Sequence, residues 1–187
     1  MRPLTILRTG AGSLPSPPVI EGLRSLGCRV IAADVDPVSV GFTCADSWRP
    51  IPRANAPAFG ASILSLCREE RVDAILPAVN EEIPRLADIR EELEGRGTAL
   101  IAPTAAAIEV CLDKALTTQA LRGLDVPTPE IWDPAQGTAA LEGVRFPALI
   151  KPRSGRGSRG IRRLRDREEL SFHLARAGEP VVVQRWV

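Results

Sequence analysis

What the chain lacks narrows its class first. No apolar run in the 187 residues approaches the ~18 residues of a membrane span. The N-terminus has a strand pattern where a signal peptide would need a charged start and an apolar core. A cytoplasmic protein with no membrane partner is the expectation. Neither charge is in excess, since 24 Lys and Arg face 23 Asp and Glu, so nothing global directs the chain toward nucleic acid. Cys28, Cys44, Cys67 and Cys111 form no C-x-x-C pair, and neither a zinc site nor a redox motif is indicated. Cys67 and Cys111 lie on helical apolar stripes and read as core. The single histidine, His173, falls in an amphipathic helical pattern and reads as a surface residue rather than a catalytic base. No metal ligand set and no catalytic residue is assigned.

What is present is unevenly placed. Between Lys151 and Arg167 there are eight Lys or Arg and one acid, which concentrates an anion-attracting field in one segment. That segment begins in Phe146-Pro-Ala-Leu-Ile-Lys-Pro-Arg-Ser-Gly-Arg-Gly-Ser-Arg-Gly-Ile161. Phe146 to Ile150 is an apolar run of strand length, and the following loop carries Gly155, Gly157 and Gly160 among Arg153, Arg156 and Arg159. Glycines let a backbone adopt φ > 0 and approach a ligand closely, so that successive N–H groups face one anion. The three glycines also spell G-x-G-x-x-G, a dinucleotide signature when a helix opens there. Here Ile161 to Leu164 reads as a second strand and the next helix start is Asp166, so the pattern is strand, glycine loop, strand: a nucleotide flap. An ordinary basic hairpin is the alternative.

The first part of the chain alternates strand and helix. Leu4 to Arg8 is strand-like, Thr9-Gly-Ala-Gly-Ser13 follows, then a helix opened by Pro17 or Pro18 with Val19, Ile20, Leu23 and Leu26 on one face and Gly27 as its stop. Arg29 to Ala33 is a second strand ending on Asp34. Gly10, Gly12 and Asp34 half-match a dinucleotide fingerprint whose third glycine is replaced by Pro15. Gly41 to Pro57 reads as a loop, and Phe59, Ile63, Leu66 and Cys67 mark a helix. Val72 to Leu76 is a buried strand, with Glu81 and Glu82 just beyond its carboxyl end. They are either substrate contacts or acids favouring the dipole of a helix carrying Ile83, Leu86, Ile89 and Leu93. Thr98 to Ala102 is a further strand. This alternation predicts a parallel sheet covered by helices over residues 1–105. From 112 to 187 a helix near Leu116 and Leu121, a short helix at Thr138 to Leu141, short strands and a helix from Asp166 to Ala177 predict an α+β lobe ending in the strand Pro180 to Val187.

These landmarks resemble the ATP-grasp superfamily, most closely the large chain of carbamoyl-phosphate synthase and related carboxylate–amine ligases. Ser47-Trp-Arg-Pro-Ile-Pro-Arg53 and Val72-Asp-Ala-Ile-Leu-Pro77 look like the pre-ATP-grasp (Rossmann-like) domain. Asp113-Lys114, Gly123-Leu-Asp-Val-Pro-Thr-Pro129 and Phe146 to Pro152 with the glycine loop look like the first lobe of the grasp domain. The resemblance implies ATP as ligand, with Lys114 and Lys151 on its phosphates and the loop of Arg153, Ser154, Gly155, Arg156, Gly157, Ser158, Arg159 and Gly160 folded over them. Gln184, Arg185, Trp186 and Val187 resemble the hinge strand that reads the adenine edge. Arg185 stands where a glutamate commonly accepts the adenine amino group, a role an arginine lacks the acceptor for.

The family implies a second lobe whose acids hold magnesium. The carboxylates from Asp113 to Glu179 all lie in helix caps or connecting segments. The expectation is an incomplete lobe that binds nucleotide through phosphate with little help from magnesium and no turnover. The whole enzyme would make an acyl-phosphate and pass it to an amine, with a small carboxylate or amine as substrate and a complementing subunit or a homodimer as possible assembly. A nucleotide- or metabolite-binding module without chemistry and an NAD-dependent oxidoreductase built on Gly10, Gly12 and Asp34 are the other readings.

Overall fold

The computed structural model describes residues 2–155 and 157–187. The chain divides into two compact units, Met1–Ala105 and Ala106–Val187. In the first, β1 (Thr5–Thr9), β2 (Arg29–Asp34), β3 (Ser47–Pro50), β4 (Ala74–Leu76) and β5 (Ala99–Leu100) form one sheet in the order β3-β2-β1-β4-β5. Every neighbouring pair is parallel. The helices between them are α1 (Ser16–Ser25), α2 (Phe59–Glu70), α3 (Glu82–Asp88) and α4 (Arg90–Gly95).

A parallel sheet needs both faces covered, and β2 shows how the sequence meets that need. Its side chains alternate between faces. Ile31 and Ala33 join Leu7, Phe59, Ile63, Ile75, Leu86 and Leu93 in one core. Val30 and Ala32 join Ala11 and Ile20 in the other. The first core is closed by α2, α3 and α4, and the second by α1. Each fully buried Ile, Leu or Phe here contributes roughly 1.5–3 kcal/mol.

Several sequence expectations change in detail. The segment read as a loop from Gly41 to Pro57 contains a 3-10 turn, Val40–Thr43, and the strand β3. β3 lies at the sheet edge, where Pro50 is tolerated because one side of the strand needs no ladder N–H. The helix expected through Ile83 and Leu93 is two helices, broken at Ile89 (φ −107°, ψ 11°). Leu26 is exposed because α1 ends at Ser25. Cys67 is buried, whereas Cys111 is exposed, since its helix α5 (Ala105–Leu112) buries only Ile108.

The second unit holds α6 (Lys114–Arg122), β6 (Ile131–Trp132), β7 (Ala148–Pro152), β8 (Arg162–Leu164), α7 (Arg167–Leu174) and β9 (Val181–Arg185). Thr138–Leu141 is a 3-10 turn rather than an α-helix. The strands form an antiparallel sheet in the order β6-β9-β7-β8. Ala148 and Ile150 of β7 pack with Leu164, Leu170 and Val183 in its core, against α7. With a side-chain period of two, Leu149 and Lys151 face the other way. β7 and β8 make the expected strand, loop, strand, with a turn and no helix at Gly157. The fold is thus α/β in the first unit and α+β in the second. Among the described residues no helix is long and apolar enough to cross a membrane.

Candidate functional site

Two places gather polar side chains whose positions the core leaves no need for, one in each unit. In the second unit, Lys151 projects from the face of β7 that lacks the core. In the register Leu149 is paired with Gln184, so Lys151 and Gln184 are diagonal neighbours on that face. The Lys151 ammonium donates to the Gln184 amide oxygen. Lys114, far away in sequence, opens α6. Asp113 caps that helix, its carboxylate accepting from the N–H groups of Ala115 (2.8 Å) and Leu116 (3.1 Å). The Lys114 backbone N–H donates to the Arg153 carbonyl at 3.0 Å, and its ammonium to the Gly155 carbonyl at 3.3 Å.

Lys114 and Lys151 therefore line one cavity of about 230 Å³ together with Gly155, Gly157, Ser158 and Arg159. The lysines are near enough to feel each other: burial and then the charge of Lys114 hold the Lys151 ammonium below its ordinary pKa. The loop is built on left-handed backbone at Gly155 (φ 135°), Gly157 (φ 64°), Ser158 (φ 56°) and Gly160 (φ 72°). Gly160 has a second reason to lack a side chain, because a Cβ there would lie 2.8 Å from Pro152 Cγ. Among the described residues, no N–H from Gly157 to Gly160 donates to a backbone carbonyl. Among the described residues, no carboxylate lines the cavity. Two crowded ammonium groups beside a glycine-rich loop fit a polyanion and not a cation.

The structure assigns Arg153 differently from the phosphate-covering role the resemblance implies. Its guanidinium donates to Asp113 and to Asp133, the latter at 2.6 Å. Burial alone would push the Asp113 carboxyl up, but Arg153 and the N–H groups of Leu116 and Ala115 together hold it below its usual range. The same hydrogen bond to Asp113 raises Arg153 further. Arg153 is thus a clasp that fixes the helix carrying Lys114 against the start of the glycine loop. Ser154 is exposed, and Arg156 lies outside the described residues. Gln184 reaches Lys151, but Arg185, Trp186 and Val187 do not line the lysine cavity. Arg185 faces Glu130 across 4.0 Å, and the Arg163 guanidinium sits 4.9 Å above the Trp186 ring. Asp133 was missed in the sequence as a partner of Arg153, although its place before Pro134 marked it as a cap.

The second place is in the first unit, at the carboxyl ends of β1 and β4. These neighbours are where the strand order reverses, the switch point at which open α/β sheets leave a crevice. Thr9 donates its hydroxyl to the Glu82 carboxylate at 2.5 Å. Arg8, 5 % exposed, donates to the carbonyls of Leu76 and Pro77 and to the Ser16 hydroxyl. Glu82 is also 5 % exposed. Burial, with Asp34 and Glu81 adding like charge, pushes its carboxyl up to about 7 against the opposing effects of Thr9 and Arg8. Glu82 is the first residue of α3, as the helix-dipole reading expects, and it is buried there rather than solvated. Asp34 is committed to the loop after β1, accepting from the N–H groups of Gly12 (2.7 Å) and Asp36 (2.9 Å). A Cβ at Gly12 would lie 2.8 Å from the Ser39 hydroxyl. The Gly10 to Ser13 loop is closed by its own partners, which weighs against a dinucleotide reading.

Comparison with known proteins shows which class shares this parallel domain and four-stranded lobe with its lysine-flanked glycine flap. Residues 19–101 match the PylC-like N-terminal domain family, and residues 111–187 match the ATP-grasp domain family. The chain is 30 % identical over 184 residues to formate-dependent phosphoribosylglycinamide formyltransferase of Rhodococcus jostii, covering 92 % of this chain and 42 % of the relative. It is 23 % identical over 181 residues to the carbamoyl phosphate synthase large chain of Clostridium beijerinckii, covering 90 % of this chain and 16 % of the relative. Among solved structures, N5-carboxyaminoimidazole synthetase from Staphylococcus aureus complexed with ADP superposes with a TM-score of 0.78 at 16 % identity, over 98 % of this chain and 48 % of that one. L-amino acid ligase from Bacillus licheniformis superposes with a TM-score of 0.74 at 18 % identity, over all of this chain and 45 % of that one. With these two domains the chain belongs to the ATP-grasp superfamily, and it spans less than half the length of these relatives.

Proposed function

We propose that the second unit holds the phosphate chain of ATP between Lys114, Lys151 and the loop from Gly155 to Gly160, as the amino-terminal part of a ligase resembling the carbamoyl-phosphate synthase large chain. The observation that carries this reading is the convergence of two lysines, 37 positions apart in sequence, on one cavity without a carboxylate. The chemistry of such a ligase is attack of a substrate carboxylate on the γ-phosphorus with departure of ADP, then attack of an amine on the acyl carbon with departure of phosphate. Lys114 and Lys151 would hold and neutralise the phosphate oxygens, a purely electrostatic contribution. Gln184 orients Lys151, and Arg153 orients the helix of Lys114. The crevice of Thr9, Arg8 and Glu82 is the place we assign to a small carboxylate or amine substrate. A complementing subunit or second copy, and a cytoplasmic setting, belong to the same proposal.

Among the described residues no carboxylate lines the cavity, and Asp113, next to Lys114 in sequence, is engaged by Arg153. This favours, as second reading for the 187-residue chain itself, nucleotide binding without turnover. Titrating the chain with ATP should give an affinity that falls about tenfold in Lys151→Ala, as for loss of a charge-assisted hydrogen bond, with Arg167→Ala close to unchanged. Equal effects would reduce the site to a diffuse basic patch. ADP release should stay at background with and without magnesium, and magnesium-dependent release would overturn the binding-only reading while leaving the phosphate site intact. Stabilisation by NAD in place of ATP would sink both.

A further inference from the structure

At the amino-terminal edge of the first unit's sheet, away from the switch point, a cavity of about 540 Å³ opens between the end of α2 and the end of α4. Its lining has two kinds of surface. Leu64 gives it a partly exposed apolar patch over the buried Cys67, Val72 and Leu93, and Arg2, Arg68, Arg71 and Arg96 give it a cationic rim. Four guanidinium groups converge there against a single lining carboxylate, Asp73, which Arg2 already holds at 2.8 Å. Arg96 pairs with Glu92. Among the described residues, Arg68 donates only to the Ser65 hydroxyl at 3.2 Å, and Arg71 has no side-chain partner. The acids beside them in sequence are engaged elsewhere: Glu69 accepts from Ser65, and Glu70 pairs with Arg29 and Arg49.

The backbone at Arg71 adds an independent observation. It is the left-handed cap of α2, φ 53° and ψ 52°, a position where glycine or asparagine is the unstrained choice. That backbone closes α2, with the Val72 N–H donating to the Cys67 carbonyl at 2.9 Å, and it brings the Arg71 side chain to the cavity rim. Two uncompensated guanidinium groups match a ligand with two negative charges, and their planar forks suit carboxylate and phosphate oxygens alike. The apolar patch and the volume, within the usual range of small-molecule sites, call for an organic body behind that charge.

We propose that this cavity binds a small dianionic organic compound, a phosphate monoester or a dicarboxylate, through Arg68 and Arg71 at the rim with its apolar body against Leu64. The site is separate from the nucleotide cradle and does not rest on the proposed ligase function.

The test is amide chemical-shift titration of the 187-residue chain at low ionic strength with ATP present, so that the phosphate cradle is saturated. Phenyl phosphate and phthalate are the probes for the two anion types, with inorganic phosphate and phenol as controls. Shifts at Arg71, Val72 and Thr98 by at least one probe, at concentrations where both controls give none, are the expected result. The Arg68→Gln, Arg71→Asn double variant, whose asparagine suits the left-handed cap, should weaken that binding about tenfold or more, as for loss of charge-assisted hydrogen bonds. Its ATP affinity should be kept. If the double variant does not fold, Arg68→Gln alone carries the same comparison. Absence of shifts with both probes, equal binding of inorganic phosphate, or unchanged affinity in the variant would overturn the proposal.

Discussion

At the scale of single residues, Glu82 and Arg153 carry the sharpest consequences. Glu82 titrates near 7 when folded and near its ordinary 4.5 when unfolded. Below 4.5 both states are protonated and the residue is neutral in effect. Between 4.5 and 7 the unfolded state gives up its proton first, so stability falls as pH rises through this window and the loss is complete above 7, reaching roughly 3 kcal/mol. Glu82→Gln keeps an acceptor for Thr9 and removes the titration. Thermal melts at pH 5 and pH 8 should differ less in this variant than in the parent, and an unchanged difference would move the buried charge to another group. Arg153→Ala leaves Asp113 and Asp133 without their shared partner, and the second unit should lose about 2 kcal/mol in urea unfolding. Arg153→Lys should restore little, because one ammonium does not reach two carboxylates as a planar fork does. The sequence exposed Arg153 as a positive charge in a basic loop. It could not show that two caps, 20 and 40 residues upstream, would take that charge out of the cradle.

At the scale of elements, the glycine flap separates two kinds of glycine. Gly157 has left-handed backbone with open space where a side chain would go, whereas Gly160 has left-handed backbone and Pro152 in the way. Gly157→Ala should cost about 1 kcal/mol through conformation alone. Gly160→Ala should cost more and shift the loop, so its ATP affinity should fall further in a direct titration. Equal losses would mean that Pro152 yields freely. Elements of this kind were readable where their signal is local. The strand at Phe146 to Lys151, the capped helix after Asp166 and the strand at Arg29 to Asp34 all follow from short patterns of apolar and cap residues. β3 was not readable, because an edge strand with Pro50 and exposed Trp48 has neither the alternation nor the apolar run of a buried one. The meeting of Lys114 with Lys151 came only through the family resemblance, since no local pattern links residues that far apart.

At the scale of the molecule, the two units reach their cores by different routes. The parallel sheet of the first is wound outward from β1, which takes β2 on one side and β4 on the other. The antiparallel sheet of the second has β9 between β6 and β7, so two of its three pairings wait for residues 181–185. Removing residues 181–187 should therefore unravel more than one strand. Hydrogen exchange should show loss of protection at Ile131, Trp132 and along β7, while Leu7 and Ile31 of the first unit keep theirs. Protection retained in β7 would show that its hairpin with β8 and its packing on α7 suffice.

The central place of β9 also sets an order of events during synthesis. The nascent chain exposes all five strands of the parallel sheet once residue 100 has left the ribosome, whereas β6 and β7 have no partner between them until residue 185 has been added. For that interval the edge of β7 that takes β9 is an open template, and Lys151 within it and the basic residues that follow to Arg167 place charge beside that edge.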